Sequence, residues 1–154
     1  MQRKGFSLIE LVIVIVIIGV LAAIAIPRLS RGASGAGDSA LQGNLKILRT
    51  AIDLYATEHG GAFPSAANIV DQLTKFTDEN GNVSTTRTGA FIYGPYLRSV
   101  PPLPVGTRKG ATGIDIAANA TEAGVGWIYD PATGTIRANT TTETDARGTL
   151  YSSY

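Results

Sequence analysis

The chain has 154 residues, with 13 Lys and Arg against 12 Asp and Glu, a formal charge of +1, one His and no Cys. That near balance excludes a protein that works through a concentrated basic surface on nucleic acid. The missing cysteine excludes disulfide staples, thiolate metal centres and cysteine nucleophiles. With about 30 residues committed to an apolar segment, roughly 120 remain, which is one small domain with a thin core.

Residues 1–5 form a short basic leader, with Arg3 and Lys4, that ends in Gly5. Residues 6–27 follow as an apolar run closed by Pro27. The 21 residues from 6 to 26 would span about 31 Å as an α-helix, the thickness of a bilayer's hydrocarbon core. One carboxylate, Glu10, interrupts that run. It would cost roughly 2.5 to 3.5 kcal/mol near the bilayer centre and less toward the interface, so a helix that served only as an anchor would do better with Leu. Glu10 therefore needs a partner. Cleavage between Gly5 and Phe6 would create one, a cationic α-amino group one helical turn, about 6 Å, from position 10. Within one helix such a pair is modest, whereas between neighbouring helices in an apolar layer an unpaired carboxylate is strongly penalised. Without the two leader charges the chain carries 11 basic and 12 acidic side chains, a balance of −1.

The stretch Lys4-Gly5-Phe6-Ser7-Leu8-Ile9-Glu10-Leu11 resembles the class III signal of type IV pilins and type II secretion pseudopilins. The resemblance implies cleavage after Gly5 by the prepilin peptidase, N-methylation of Phe6, and a Glu10 that pairs with the Phe6 amine of an adjacent subunit. It also implies an inner-membrane, single-pass precursor with its carboxyl-terminal domain in the periplasm. An ordinary secretory signal is the competing reading, with Ala23-Ile24-Ala25 as a small-x-small cut site. It fails on the uninterrupted length of residues 11–26 and on Glu10. A plain signal anchor explains the length and the basic flank but leaves Glu10 unexplained.

Further along, Pro27 and the glycines of residues 28–37 predict a bend, a melted stretch or a linker. Residues 38–154 are then the globular domain. Asp38 can cap a new helix, on which Leu41, Leu45, Leu48, Ile52 and Tyr55 recur at spacings of 4, 3, 4 and 3. That is one apolar stripe requiring cover. The helix should end near His59, with Gly60 and Gly61 as a left-handed cap. Residues 126–129 and 135–138 are β-prone runs joined by Asp130-Pro131-Ala132-Thr133-Gly134 and predict a hairpin. Residues 90–93 are a further candidate strand. A small antiparallel sheet of these strands would cover the helix stripe, with Trp127 or Tyr129 in the core. Residues 139–154 read as polar and loosely ordered except for Leu150, Tyr151 and Tyr154.

The expected fold class is α+β, a long amino-terminal helix packed on a small antiparallel sheet, as in pilins. Two downstream stretches, residues 53–64 and Tyr93-Gly94-Pro95-Tyr96-Leu97 with Val100-Pro101, resemble major pseudopilins and favour the secretion branch. The absence of cysteine leans the same way. The resemblance implies a homopolymer with minor pseudopilins, the prepilin peptidase and an inner-membrane assembly platform as partners, membrane before assembly, a periplasmic filament after it, and no nucleic acid. No cofactor is expected. Calcium is possible by resemblance, but Asp115, Glu122, Asp130, Glu143 and Asp145 show no compact ligand spacing, and the metal ligands stay unassigned. Catalysis finds no constellation: His59 is the only histidine and reads as a surface residue. The sequence thus predicts a non-enzymatic structural subunit of a type II secretion pseudopilus. The alternatives are a type IV pilus subunit for adhesion, motility or DNA uptake, and a signal-anchored periplasmic binding or enzyme domain.

Overall fold

The computed structural model describes residues 7–117 and 121–154, the side chains of residues 27 and 30–34 excepted. Two helices, α1 (Leu8–Glu58) and α2 (Ile69–Thr74), precede β1 (Phe76–Thr77), β2 (Val83–Ser84), β3 (Gly113–Asp115), β4 (Val125–Asp130) and β5 (Thr135–Ala138). A 3-10 turn, Tyr151–Ser153, follows. The chain divides into two compact units, Met1–Ala36 and Gly37–Tyr154.

The backbone of α1 is helical over 51 residues, through residue 27 and the glycine-rich residues 28–37. The expected melted stretch is therefore absent, and Asp38 lies inside a helix rather than capping a second one. The reason is local. A proline deletes one amide donor and a glycine costs about 1 kcal/mol against alanine, while the interleaved Leu29, Ala33, Ala36 and Ala40 are strong helix formers. The far end of α1 behaves as its sequence predicts. Gly60 and Gly61 take φ of 64° and 91°, and the Gly61 amide donates to the Ala56 carbonyl at 2.7 Å, closing the last turn.

The second unit has one main core, built on the predicted stripe. Leu41, Leu45, Leu48, Ile52 and Tyr55 are all buried and share a cluster with Leu73, Leu103, Trp127, Tyr129 and Ile136. The predicted hairpin is β4 and β5, antiparallel, with Trp127 opposite Ala138 and Tyr129 opposite Ile136. Gly134, at φ 70°, makes its turn beneath the Phe63 ring. Both aromatics of β4 are fully buried, and each sends its polar atom to a carbonyl: Trp127 Nε1 to Pro101 at 2.8 Å and the Tyr129 hydroxyl to Pro64 at 2.9 Å. Trp127 is thus core and offers no face to a sugar. Two further features depart from expectation. β3 joins β4 in parallel, so the three-stranded sheet is mixed, while β1 and β2 pair antiparallel on their own. Residues 90–93 form no strand. Only Tyr93 bridges, to Thr77, because the chain turns at once through Gly94, at φ 66°, into Pro95, which has no amide to extend a ladder.

Residues 139–154 are ordered rather than loose. Asn139, Thr140 and Tyr151 are buried, Leu150 is exposed, and Thr144 bridges Leu150. The Tyr151 hydroxyl donates to Asp38 at 2.8 Å, and Arg49 donates to the carbonyls of Ile136 and Tyr154. The carboxyl-terminal segment is thereby strapped to α1, in part through Tyr151 and Tyr154, two of the residues excepted from the loose tail.

Candidate functional site: the amino-terminal helix

Gly5 and Phe6, the expected cleavage and methylation positions, lie outside the described residues. Glu10 sits in the first turn of α1. Its Oε2 accepts the Ser7 amide at 2.7 Å, and the Leu11 amide donates to the Ser7 carbonyl at 3.3 Å, so Ser7 is the cap and Glu10 the third helical residue. The Ile9 amide also lies 3.4 Å from Ser7 Oγ. This is a capping box, legible in Ser7-Leu8-Ile9-Glu10 as S-x-x-E. Reading Glu10 only as a charge in need of an intermolecular cation misses this local partner.

Among the described residues, one helix segment is long and apolar enough to cross a membrane, Leu8–Ile26, with mean hydropathy 3.2 and none of that window buried. Fourteen of its large apolar side chains are exposed, from Val12 at 42% to Leu8 at 79%, on every side of the helix. At about 1.5 kcal/mol or more per large side chain, leaving that surface in water costs on the order of 20 kcal/mol, beyond the whole stability of a small domain. Lipid or other apolar helices must cover it.

In the second unit, His59 and the carboxyl-terminal carboxylates Glu143 and Asp145 have local partners. His59 is buried, not on the surface. Its ring stacks on Tyr55 with centroids 3.8 Å apart, and Nδ1 and Nε2 face the carbonyl oxygens of Tyr55 and Asp78 at 2.8 and 3.0 Å. Both ring nitrogens are thus engaged, and neither is open to a substrate or a metal. Among the described residues no three His, Asp or Glu side chains gather around a common point.

The carboxyl-terminal carboxylates are likewise occupied. Glu143 Oε1 accepts the Thr107 amide and hydroxyl at 3.0 and 2.8 Å, and Oε2 accepts the Thr141 amide at 3.1 Å. The Thr107 amide, ahead of its hydroxyl, holds the Glu143 pKa down at about 2. Asp145 accepts the Arg147 and Thr149 amides, both at 2.8 Å, and the Tyr154 hydroxyl at 2.6 Å, which lowers its pKa, the tyrosine bond most of all. Carboxylates that face N–H and O–H donors do not fit a calcium cage, which needs several oxygens turned toward one ion.

The family described as the prokaryotic N-terminal methylation motif matches residues 1–26. The chain is similar to type II secretion system core protein G of Pseudomonas aeruginosa, 34% identical over 74 residues, which are 48% of this chain and 51% of that protein. It is also similar to the type IV major pilin protein PilA of Myxococcus xanthus, 36% identical over 104 residues, 68% of this chain and 45% of that protein. Type II secretion system core protein G of Klebsiella pneumoniae is 29% identical over 108 residues, 70% of this chain and 73% of that protein. The chain spans about half the length of the first two relatives. No solved structure matches.

Proposed function

We propose that this chain is a structural subunit of a type II secretion pseudopilus. In this reading the prepilin peptidase cuts a membrane-stored precursor after Gly5, the new terminal Phe6 is N-methylated, and the subunit polymerises through its apolar helix with its domain in the periplasm. One observation carries the reading: Leu8–Ile26 is apolar and uncovered all round, with a single carboxylate at its first turn. Lipid and like helices satisfy such a surface almost equally, so transfer from bilayer to filament is close to balanced and is driven by the assembly ATPase of an inner-membrane platform. In the filament Glu10 takes the Phe6 amine of the neighbouring subunit, and minor pseudopilins join the same helix packing. The subunit performs no catalysis and holds no cofactor, calcium included. The test is the mature chain isolated from its host. An amino terminus at N-methylated Phe6, with loss of protein export when the gene is deleted, is expected. A chain starting at Met1, or export untouched by deletion, refutes the reading.

The similarity to PilA, 36% identical against 34% for the Pseudomonas protein, supports a second use of the same assembly, a type IV pilus. Deletion would then abolish surface fibres and leave export intact.

A further inference from the structure

We infer that Arg28 and Arg31 bind the phosphates of anionic phospholipids at the periplasmic face of the bilayer and fix the depth at which the processed subunit waits. The inference rests on the membrane-stored subunit proposed above. From residue 11 to residue 37 the sequence has no acid and two bases, Arg28 and Arg31. Basic residues on the translocated side of a span oppose the orientation that Arg3 and Lys4 set, so a helix that served only as an anchor would do better with neutral residues there. The acids nearest in sequence do not answer them. Glu10 stands at the opposite end of the span, and Asp38, the next acid along the chain, accepts the Tyr151 hydroxyl at 2.8 Å.

The continuous helix sets where these two positions lie. The backbone of α1 runs unbroken through them. The 19 residues of Leu8–Ile26 rise about 28 Å, close to the hydrocarbon thickness of about 30 Å, so positions 28 and 31 follow at about 3 and 8 Å beyond the span, within a headgroup layer roughly 5 to 8 Å deep. Three residues turn the helix by about 300°, which leaves the two within about 60° of each other on one face. Arg28 is exposed there. Each Cα–Cβ bond of an α-helix tilts toward its amino terminus, here toward the bilayer and away from Asp38. A guanidinium at that level meets phosphate, which it binds through two parallel N–H donors, and an anionic lipid has no headgroup amine to compete for the same oxygens. With the leader removed, these are the only basic side chains in residues 6–37, so the processed helix is moored at its periplasmic end alone.

The test is lipid selectivity of the mature chain, purified from its host and reconstituted into phosphatidylcholine vesicles that carry a trace of spin-labelled phosphatidylglycerol or spin-labelled phosphatidylcholine. The wild type is expected to hold the anionic lipid in its motionally restricted fraction at least about twofold in preference to the neutral one. Arg28→Gln with Arg31→Gln should insert as wild type does and bring that preference to parity. Salt at about 1 M, which screens charges beyond about 3 Å, should do the same to the wild type. Equal affinity for the two lipids in the wild type, or a preference that survives the glutamines or the salt, overturns the inference and spares the membrane reading. Inorganic phosphate that erases the preference at constant ionic strength assigns the pair to a free anion and overturns it too. A wild-type chain that does not float with the vesicles overturns the membrane reading instead.

Discussion

Replacing Glu10 separates two roles that its carboxylate combines. Glutamine at position 10 keeps an oxygen for the Ser7 amide, now 2.7 Å from Oε2, so the capping box survives, but the charge is gone. Alanine removes both. The cap is worth about 1 kcal/mol, enough to fray the first turn and no more. A buried interhelical ion pair that loses one partner costs about 3 to 5 kcal/mol, a weakening of subunit association by roughly two to three and a half powers of ten. Insertion into the bilayer should not suffer, because an acidic residue at a helix end costs little. The assay is membrane fractionation to count inserted subunits, shearing and immunoblotting to count assembled ones, and amide exchange over residues 7–11 in detergent. Glu10→Gln should insert normally, protect the Ser7 amide as wild type does, and assemble at well under a hundredth of the wild-type level. Glu10→Ala should fail equally to assemble and lose the protection at Ser7. Wild-type filament numbers from Glu10→Gln would refute the reasoning and leave the carboxylate with a cap as its whole task.

Other outcomes follow from the second unit. Trp127→Ala, which empties a fully buried site in the main core, should cost about 3 to 5 kcal/mol in denaturant unfolding. Gly134→Ala must hold a side chain at φ 70° against the Phe63 ring, and should lower stability by about 1 to 3 kcal/mol in the same measurement. Glu143 has its pKa lowered from 4.5 to about 2 on folding, so the folded state favours its ionised form. Its contribution is complete above pH 4.5 and fades as the pH falls toward 2, and the gap in melting temperature between wild type and Glu143→Gln should close over that window. Millimolar calcium or a chelator should leave the melting temperature of the full chain unchanged, and a calcium-dependent rise would show that these carboxylates do take the ion.

Much of this was legible in the chain because the physics is local. The period of Leu41 to Tyr55, the glycines after Glu58 and the turn at 130–134 each specify their geometry within a few residues. What escaped depends on contacts between distant positions. β3 pairs with β4 although only Ile114 in it is strongly β-prone, since the neighbouring strand supplies the hydrogen bonds. The order of residues 139–154 comes from Asp38, Arg49 and Thr107, which lie far away in sequence. Continuous helix across residues 28–37 shows propensity yielding to cooperativity: once long helical runs exist on both sides, a few poor residues cost less than breaking the ladder. At Glu10 the local partner is the legible one, since Ser7 and Glu10 stand three apart, whereas a partner on another subunit leaves no mark in the spacing.

The knots at Glu143 and Asp145 and the Tyr151–Asp38 clasp bear on how this polypeptide can be made. The links that tie down its tail are hydrogen bonds and the packing of Tyr151 in the core, formed and broken without electron transfer. The domain should therefore mature without an oxidase and refold after unfolding in the presence of reductant, so a host that lacks a thiol-oxidation pathway could still export and use it.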